Sequence, residues 1–286
     1  MKQLLLLLLF IPFISLSQIE GKQHDQLILR GATIINSTGA PPLGPVDIVI
    51  EKNIITRIQN VGYPGVPINE NRRPKLSKNG VEINCEGNYV MPGFIDTHGH
   101  IGGRSQGASP DYVFKLWMAH GVTTIREPGG SLSHKLKLEL KNKSEKNLIV
   151  APRIYAFSTF NSRLKSPEEA RDWVRENAKK GSDGIKFFGA APDIMQAAIE
   201  ENKNLGLRST SHHAQLNVVR WNVLNSARAG LNSMEHWYGL PEALFNDRII
   251  QDYPPDYNYQ NEQHRFEQAG KLWKQAAKPY SEHWNN

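Results

Sequence analysis

From Phe94 onward the chain repeats one pattern: a short apolar run, an amphipathic stretch, another apolar run. The apolar runs are GFIDTHGH, GVTTIREPGG, APRIYAFST, SDGIKFFGA, LRSTSHHA and LNSMEHW. Several of the stretches between them carry helix punctuation. SPDYVFKLWMAHG stops at Gly. SPEEARDWVRENAKKG opens with Ser166 as cap, Pro167 at the first helical position and Glu169 three residues after the cap. PDIMQAAIEENKNLG and LNVVRWNVLNSARAG also stop at Gly. Strand and helix in strict alternation predict an α/β fold, a parallel sheet covered by helices. Six such units in one run point to a barrel rather than an open sheet.

The chain before this repeat has a different texture. LILRGATII alternates and is β-branched, NSTGAPPLG is a turn cluster, and VDIVIEKNIITRIQNV places two strands around EKN. Residues 64–81 read as a polar surface loop, and GVEINCEGNYVMPG adds a last strand or two. This is a small β-domain over residues 18–90, with the barrel domain over 91–286. Residues 1–17 are read apart from both. A basic start at Lys2, an apolar run from Leu4 to Leu16 and small residues Ser15 and Ser17 make a secretory signal peptide, with cleavage near Gln18. The run is too short to span a bilayer, so the expected product is exported, periplasmic or extracellular, without a transmembrane segment. Cys85 is the only cysteine, which excludes an internal disulfide. The net charge of +6 is scattered, so a nucleic-acid partner is not expected. The short basic run KLKLELKNKSEK (135–146) reads as a solvated helix face.

The polar strand ends carry the functional reading. In a barrel of this kind, chemistry sits where the strands end. His98 and His100 close the first strand, and side chains at i and i+2 share a face. Lys186 lies among apolar residues in the fourth strand, His212 and His213 close the fifth, and His236 closes the sixth. One of His212 and His213 must face away. Imidazole nitrogens converging from several strands are what a zinc-type ion needs.

YVMPGFIDTHGHIGG, followed by GVTTIREPGG, SDGIKFFGA, STSHHAQ and GLNSMEHWYGL, resembles the amidohydrolase superfamily. The closer resemblance is to its imidazolonepropionase- and prolidase-like branch of metal-dependent hydrolases, over about Leu27 to Phe245. The resemblance implies a TIM-like (β/α)8 barrel beside a β-sandwich. It also implies two divalent ions, zinc or similar, held by His98, His100, His212 (His213 as the fallback) and His236 and bridged by a carboxylated Lys186. The chemistry implied is hydrolysis of a C–N bond in a dipeptide, N-acyl amino acid or cyclic amide by a metal-activated water. Arg126, Trp237 and Tyr238, just past strand ends, are candidate substrate contacts.

The family pattern further calls for an Asp at the end of an eighth strand as general base. About 50 residues follow His236, and their aspartates, Asp247, Asp252 and Asp256, lie in FNDRIIQDYPPDYNYQ, which reads as helix and polar loop. The expectation is therefore a C-terminally truncated barrel of about six strands, poorly soluble or oligomeric through its open edges. The alternatives to an enzyme are a degenerate, non-catalytic relative that keeps partial metal binding, and a metal-free surface-binding module.

Overall fold

The computed structural model describes residues 24–130, 132–214, 218, 220–245, 247–248 and 253–285. The signal-peptide reading of 1–17, the cleavage point near Gln18 and Asp252 lie outside the described residues. The chain divides into two compact units: residues through Phe94 with Lys143–Val150, and Ile95–Asn142 with Ala151–Asn286.

The first unit is built on one mixed sheet. Its strands are β1 (Gln26–Ile34), β2 (Leu43–Glu51), β3 (Ile54–Asn60), β4 (Val81–Asn84) and β5 (Tyr89–Val90). They run β3–β2–β1–β4, with β5 also paired to β1. The β1–β2 and β2–β3 pairs are antiparallel, while β4 and β5 run parallel to β1. One face buries Ala32, Ile34, Val46, Ile48 and Cys85. Asp47, wholly buried, is matched by the Arg30 guanidinium at 2.8 Å and by the Gly31 N–H.

The second unit is a curled six-stranded half-barrel in simple sequential order: β6 (Phe94–Asp96), β7 (Val122–Glu127), β8 (Arg153–Thr159), β9 (Gly184–Phe187), β10 (Arg208–His212) and β11 (Ser233–Glu235). The pairs from β7 to β11 are all parallel. Helices α1 (Pro110–Ala119), α2 (His134–Glu145), α3 (Pro167–Lys179), α4 (Pro192–Asn204) and α5 (Val223–Ala229) fill the connections, and α6 (Leu240–Ala243), α7 (Glu262–Leu272) and α8 (Glu282–Asn285) follow β11. Among the described residues no helix is long and apolar enough to cross a membrane.

Local chemistry explains where these helices begin. The Ser166 hydroxyl accepts the Glu169 N–H, and the Glu169 carboxylate accepts the Lys165 N–H at 2.7 Å, which closes the first turn of α3. Helix α5 begins at Val223, because Asn222 caps there: its side chain accepts from Leu224 and Asn225, and Asn225 answers to the Asn222 N–H.

Period-two phasing decides which way each strand residue faces. Ile185 and Phe187 on β9 enter a core with Ala170 and Val174 of α3 and Met195, Ala198 and Ile199 of α4. Lys186 therefore faces away from the helices, onto the concave side of the sheet.

Two expectations need correction. The strand that leads to the histidines ends at Asp96, whose side chain accepts the His98 N–H at 2.8 Å, so His98 and His100 stand in a turn beyond the strand. The run KLKLELKNKSEK is not solvated throughout. Lys137 is only 2% exposed, because its ammonium has a buried carboxylate and a backbone carbonyl to bind.

Candidate active site

His98 and His100 leave the turn on the same side, their rings 5.1 Å apart and edge-to-face. Each ring is held at Nδ1 by a carboxylate from another strand. Glu235, the last residue of β11, approaches His98 Nδ1 to 2.5 Å, and Glu127, the last residue of β7, approaches His100 Nδ1 to 3.0 Å. Burial opposes the charge on both acids. Hydrogen bonds from His98 and Thr210 outweigh it at Glu235 and hold that carboxyl down to about 2. Hydrogen bonding from His100, with the charge of Lys137, holds Glu127 below the usual carboxylate range. An ionised carboxylate only accepts, so an imidazole in its neutral form at either place donates its Nδ1–H and keeps the Nε2 lone pair.

The other imidazoles gather beside these two. The His236 ring lies 4.6 Å from that of His98, and the His212 ring lies 5.0 Å from that of His236. His236 reaches this position through a left-handed backbone, φ 58°. His213 does not join: its Nε2 meets the Ser226 hydroxyl at 2.8 Å on the α5 side of the strand. The Lys186 amine stands in the same region, 5.3 Å over the Phe188 ring. Burial pulls it down to about 8 against the nearby charge of Glu235. Burial, with the charges of neighbouring rings, pushes His212 down to about 3 and His236 to about 4.

The three candidate substrate contacts are placed differently from one another. Arg126 is committed to the protein: its guanidinium donates to the Thr97 carbonyl, to Ser233 and to Glu235. Tyr238 is buried, with its ring 4.9 Å from His212 and stacked on Phe266 of α7. Trp237 packs between Phe266 and Trp273. Asp247 and Asp256 are exposed, the former beside Arg248.

Sequence reasoning did not single out Glu127, Glu235 or Lys137. Glu127 and Glu235 each sit next to a candidate residue, Arg126 and His236, at the same strand ends. That adjacency was the available clue.

Among the described residues, no three His, Cys, Asp or Glu side chains already stand as a ligand set for a metal. The side chains are nevertheless the right kind for one. His212 Nε2 is buried and has no hydrogen-bond partner among the described residues, and the carboxylates leave His98 and His100 with free Nε2 atoms. Imidazole nitrogens of this sort suit a zinc-type divalent ion. A lysine held at about 8 is neutral in roughly a tenth of molecules at pH 7, against well under a hundredth for an ordinary lysine, and the neutral amine is the state that carboxylation requires.

No family model matches the sequence. Solved structures of a Xaa-Pro dipeptidase and of an amidohydrolase superpose with TM-scores of 0.56 and 0.54, at 20% and 19% identity, over 74% and 73% of this chain. The fold is that of the amidohydrolase superfamily. The sequence matches agree with it. Adenine deaminase 2 of Desulfotalea psychrophila is 30% identical over 105 residues, 37% of this chain and 15% of that protein. The N-acyl-D-aspartate deacylase of Alcaligenes xylosoxydans xylosoxydans is 25% identical over 161 residues, 56% of this chain and 27% of that protein. The chain thus spans about 60% of the length of the two amidohydrolase-fold structures and less than a third of either curated relative.

Proposed function

We propose that this chain contributes the metal-binding part of a hydrolase that cleaves a C–N bond in a small molecule. The observation that carries the reading is the gathering of His98, His100, His212 and His236 with Lys186 at one end of the sheet. His98, His100, His212 and His236 would hold divalent zinc or a similar ion, as a pair if Lys186 is carboxylated. Such an ion supplies Lewis-acid polarisation and a water of lowered pKa. The chain's own groups do the rest. Glu235 and Glu127 orient the first two imidazoles, Lys186 offers an amine that can shed its proton, and Tyr238, with Phe266 against it, lays apolar surface beside His212 and His236.

The substrate class we favour is a dipeptide, N-acyl amino acid or cyclic amide. The dipeptidase fold neighbour and the deacylase relative support it. The relative named adenine deaminase 2 is the reason adenine belongs in the screen. The test is to purify the full chain, measure bound metal, and assay it with zinc against dipeptides, N-acyl amino acids, cyclic amides and adenine. Metal content at background in the wild-type protein would sink the reading.

One observation favours a second reading, metal binding without turnover. Both carboxylates beside the imidazoles are already ion-paired, Glu127 with Lys137 and Glu235 with Arg126. Neither of these two carboxylates is therefore free to move a proton. Bound metal with no turnover across the screen would select this reading. Export of the chain, with cleavage near Gln18, is part of the proposal and rests on the Lys2–Ser17 pattern.

A further inference from the structure

His98 and His100 are held by two matching arrangements. In one, His98 Nδ1 meets Glu235, and Glu235 is met in turn by the Arg126 guanidinium and the Thr210 hydroxyl. In the other, His100 Nδ1 meets Glu127, and Glu127 is met by the Lys137 ammonium at 2.9 Å and by the Gly129 and Gly130 N–H groups. Each acid thus joins one imidazole to one cation. The cations are themselves fixed from outside the cluster: Arg126 by the Thr97 carbonyl and Ser233, Lys137 by the Phe157 carbonyl at 2.8 Å. Neither acid has room to turn away, since Glu127 is fully buried and Glu235 nearly so.

We propose that Glu127 and Glu235 are positioning residues, each locking one imidazole of the His98–Gly99–His100 turn as its Nδ1–H tautomer with Nε2 presented to the site, while Lys137 and Arg126 brace the two acids. The inference deepens the metal-site reading and rests on it for its purpose. Its geometry is independent of any ion. A ring that is free to choose its tautomer offers Nε2 as a lone pair only part of the time and must pay to reorient. A ring tied at Nδ1 offers it continuously. Outer carboxylates of this kind are worth about 10–100-fold in metal affinity.

The test uses the full chain with 15N-labelled histidine, read by long-range proton–nitrogen correlation in metal-free protein, and zinc affinity by chelator competition. Two variants address the two rings separately. Glu235→Leu removes the His98 partner. Glu127→Leu with Lys137→Met removes the His100 partner together with its cation, because leaving a buried ammonium alone endangers the fold whereas exchanging both partners for apolar groups is often tolerated. In the wild type both rings should carry hydrogen on Nδ1. Glu235→Leu should shift His98 toward Nε2–H and leave His100 unchanged. The paired variant should do the converse. Each should weaken zinc binding about 10–100-fold. If only one variant folds, its ring decides the matter. Wild-type rings lacking hydrogen on Nδ1, or variants that change neither ring or both alike, would overturn the proposal. Ring-specific shifts in a protein that takes up no zinc would instead sink the metal reading and leave the positioning role standing.

Discussion

Lys137 Nζ stands 2.9 Å from Glu127 Oε2, and neither side chain is in contact with bulk water. The pair ties a helix that reads as polar in the sequence to the end of β7 and, through Glu127, to His100. Removing one partner of a buried pair leaves an uncompensated charge. Lys137→Met alone is therefore expected to destabilise the protein by about 3–5 kcal/mol. Adding Glu127→Gln should recover part of that loss, since the two effects are coupled. Urea denaturation of both variants measures this, and a fully additive double variant would contradict it.

Acid should weaken the fold through His134. Its ring is partly buried against the Ser158 and Ser182 hydroxyls, with the charges of Lys137 and Lys180 nearby. Burial first, then those cations, hold its pKa below the ordinary 6.5. The unfolded chain therefore binds a proton more readily than the folded one. Stability associated with the neutral ring is complete above about pH 6.5 and is lost as the pH falls from there through the lower folded value. His134→Gln should flatten that part of a melting-temperature profile. A profile of unchanged slope would assign the acid sensitivity elsewhere.

Metal content separates the cluster's members. His98→Ala with His100→Ala should strip bound zinc to background, as measured by elemental analysis of purified protein. Lys186→Ala should lose one ion and keep the other, because a carbamate forms only on an amine. Unchanged stoichiometry in Lys186→Ala would remove the bridging role.

Gly130 sets the approach of Glu127 to His100. A Cβ there would stand 2.5 Å from Glu127 Oε1 and 2.9 Å from His100 Nδ1. Gly130→Ala should therefore weaken zinc binding about tenfold or more by displacing that carboxylate. Gly270→Ala on α7, where no heavy atom lies within 4 Å of the added Cβ and the backbone φ is not positive, should leave zinc affinity at the wild-type level. Chelator competition compares the two.

Native protein should begin at or near Gln18 and be recovered outside the cytoplasm. N-terminal sequencing from the source cells decides this, and an intact Met1 would refute export.

Much of the fold was legible because its causes are local. Alternating strand and helix patterns dictate a parallel sheet whatever the rest of the chain does, and Ser166, Pro167 and Glu169 start a helix with side chains a few bonds from the backbone they cap. The facing of Lys186 was equally determined, since a strand that sends Ile185 and Phe187 into the core must send the residue between them the other way. What only the tertiary structure decided are the long-range choices. Which of the two rings, His212 or His213, stands beside the other imidazoles depends on which neighbour each finds, His236 or Ser226. On an extended strand Glu235 and His236 would face opposite sides, yet both touch His98, because the left-handed φ of His236 turns its ring back. Lys137 is buried only because Glu127, ten residues away, ends β7 beneath it. Such pairings depend on which strand ends meet in space, and chain connectivity constrains that meeting only through the complete packing of the sheet.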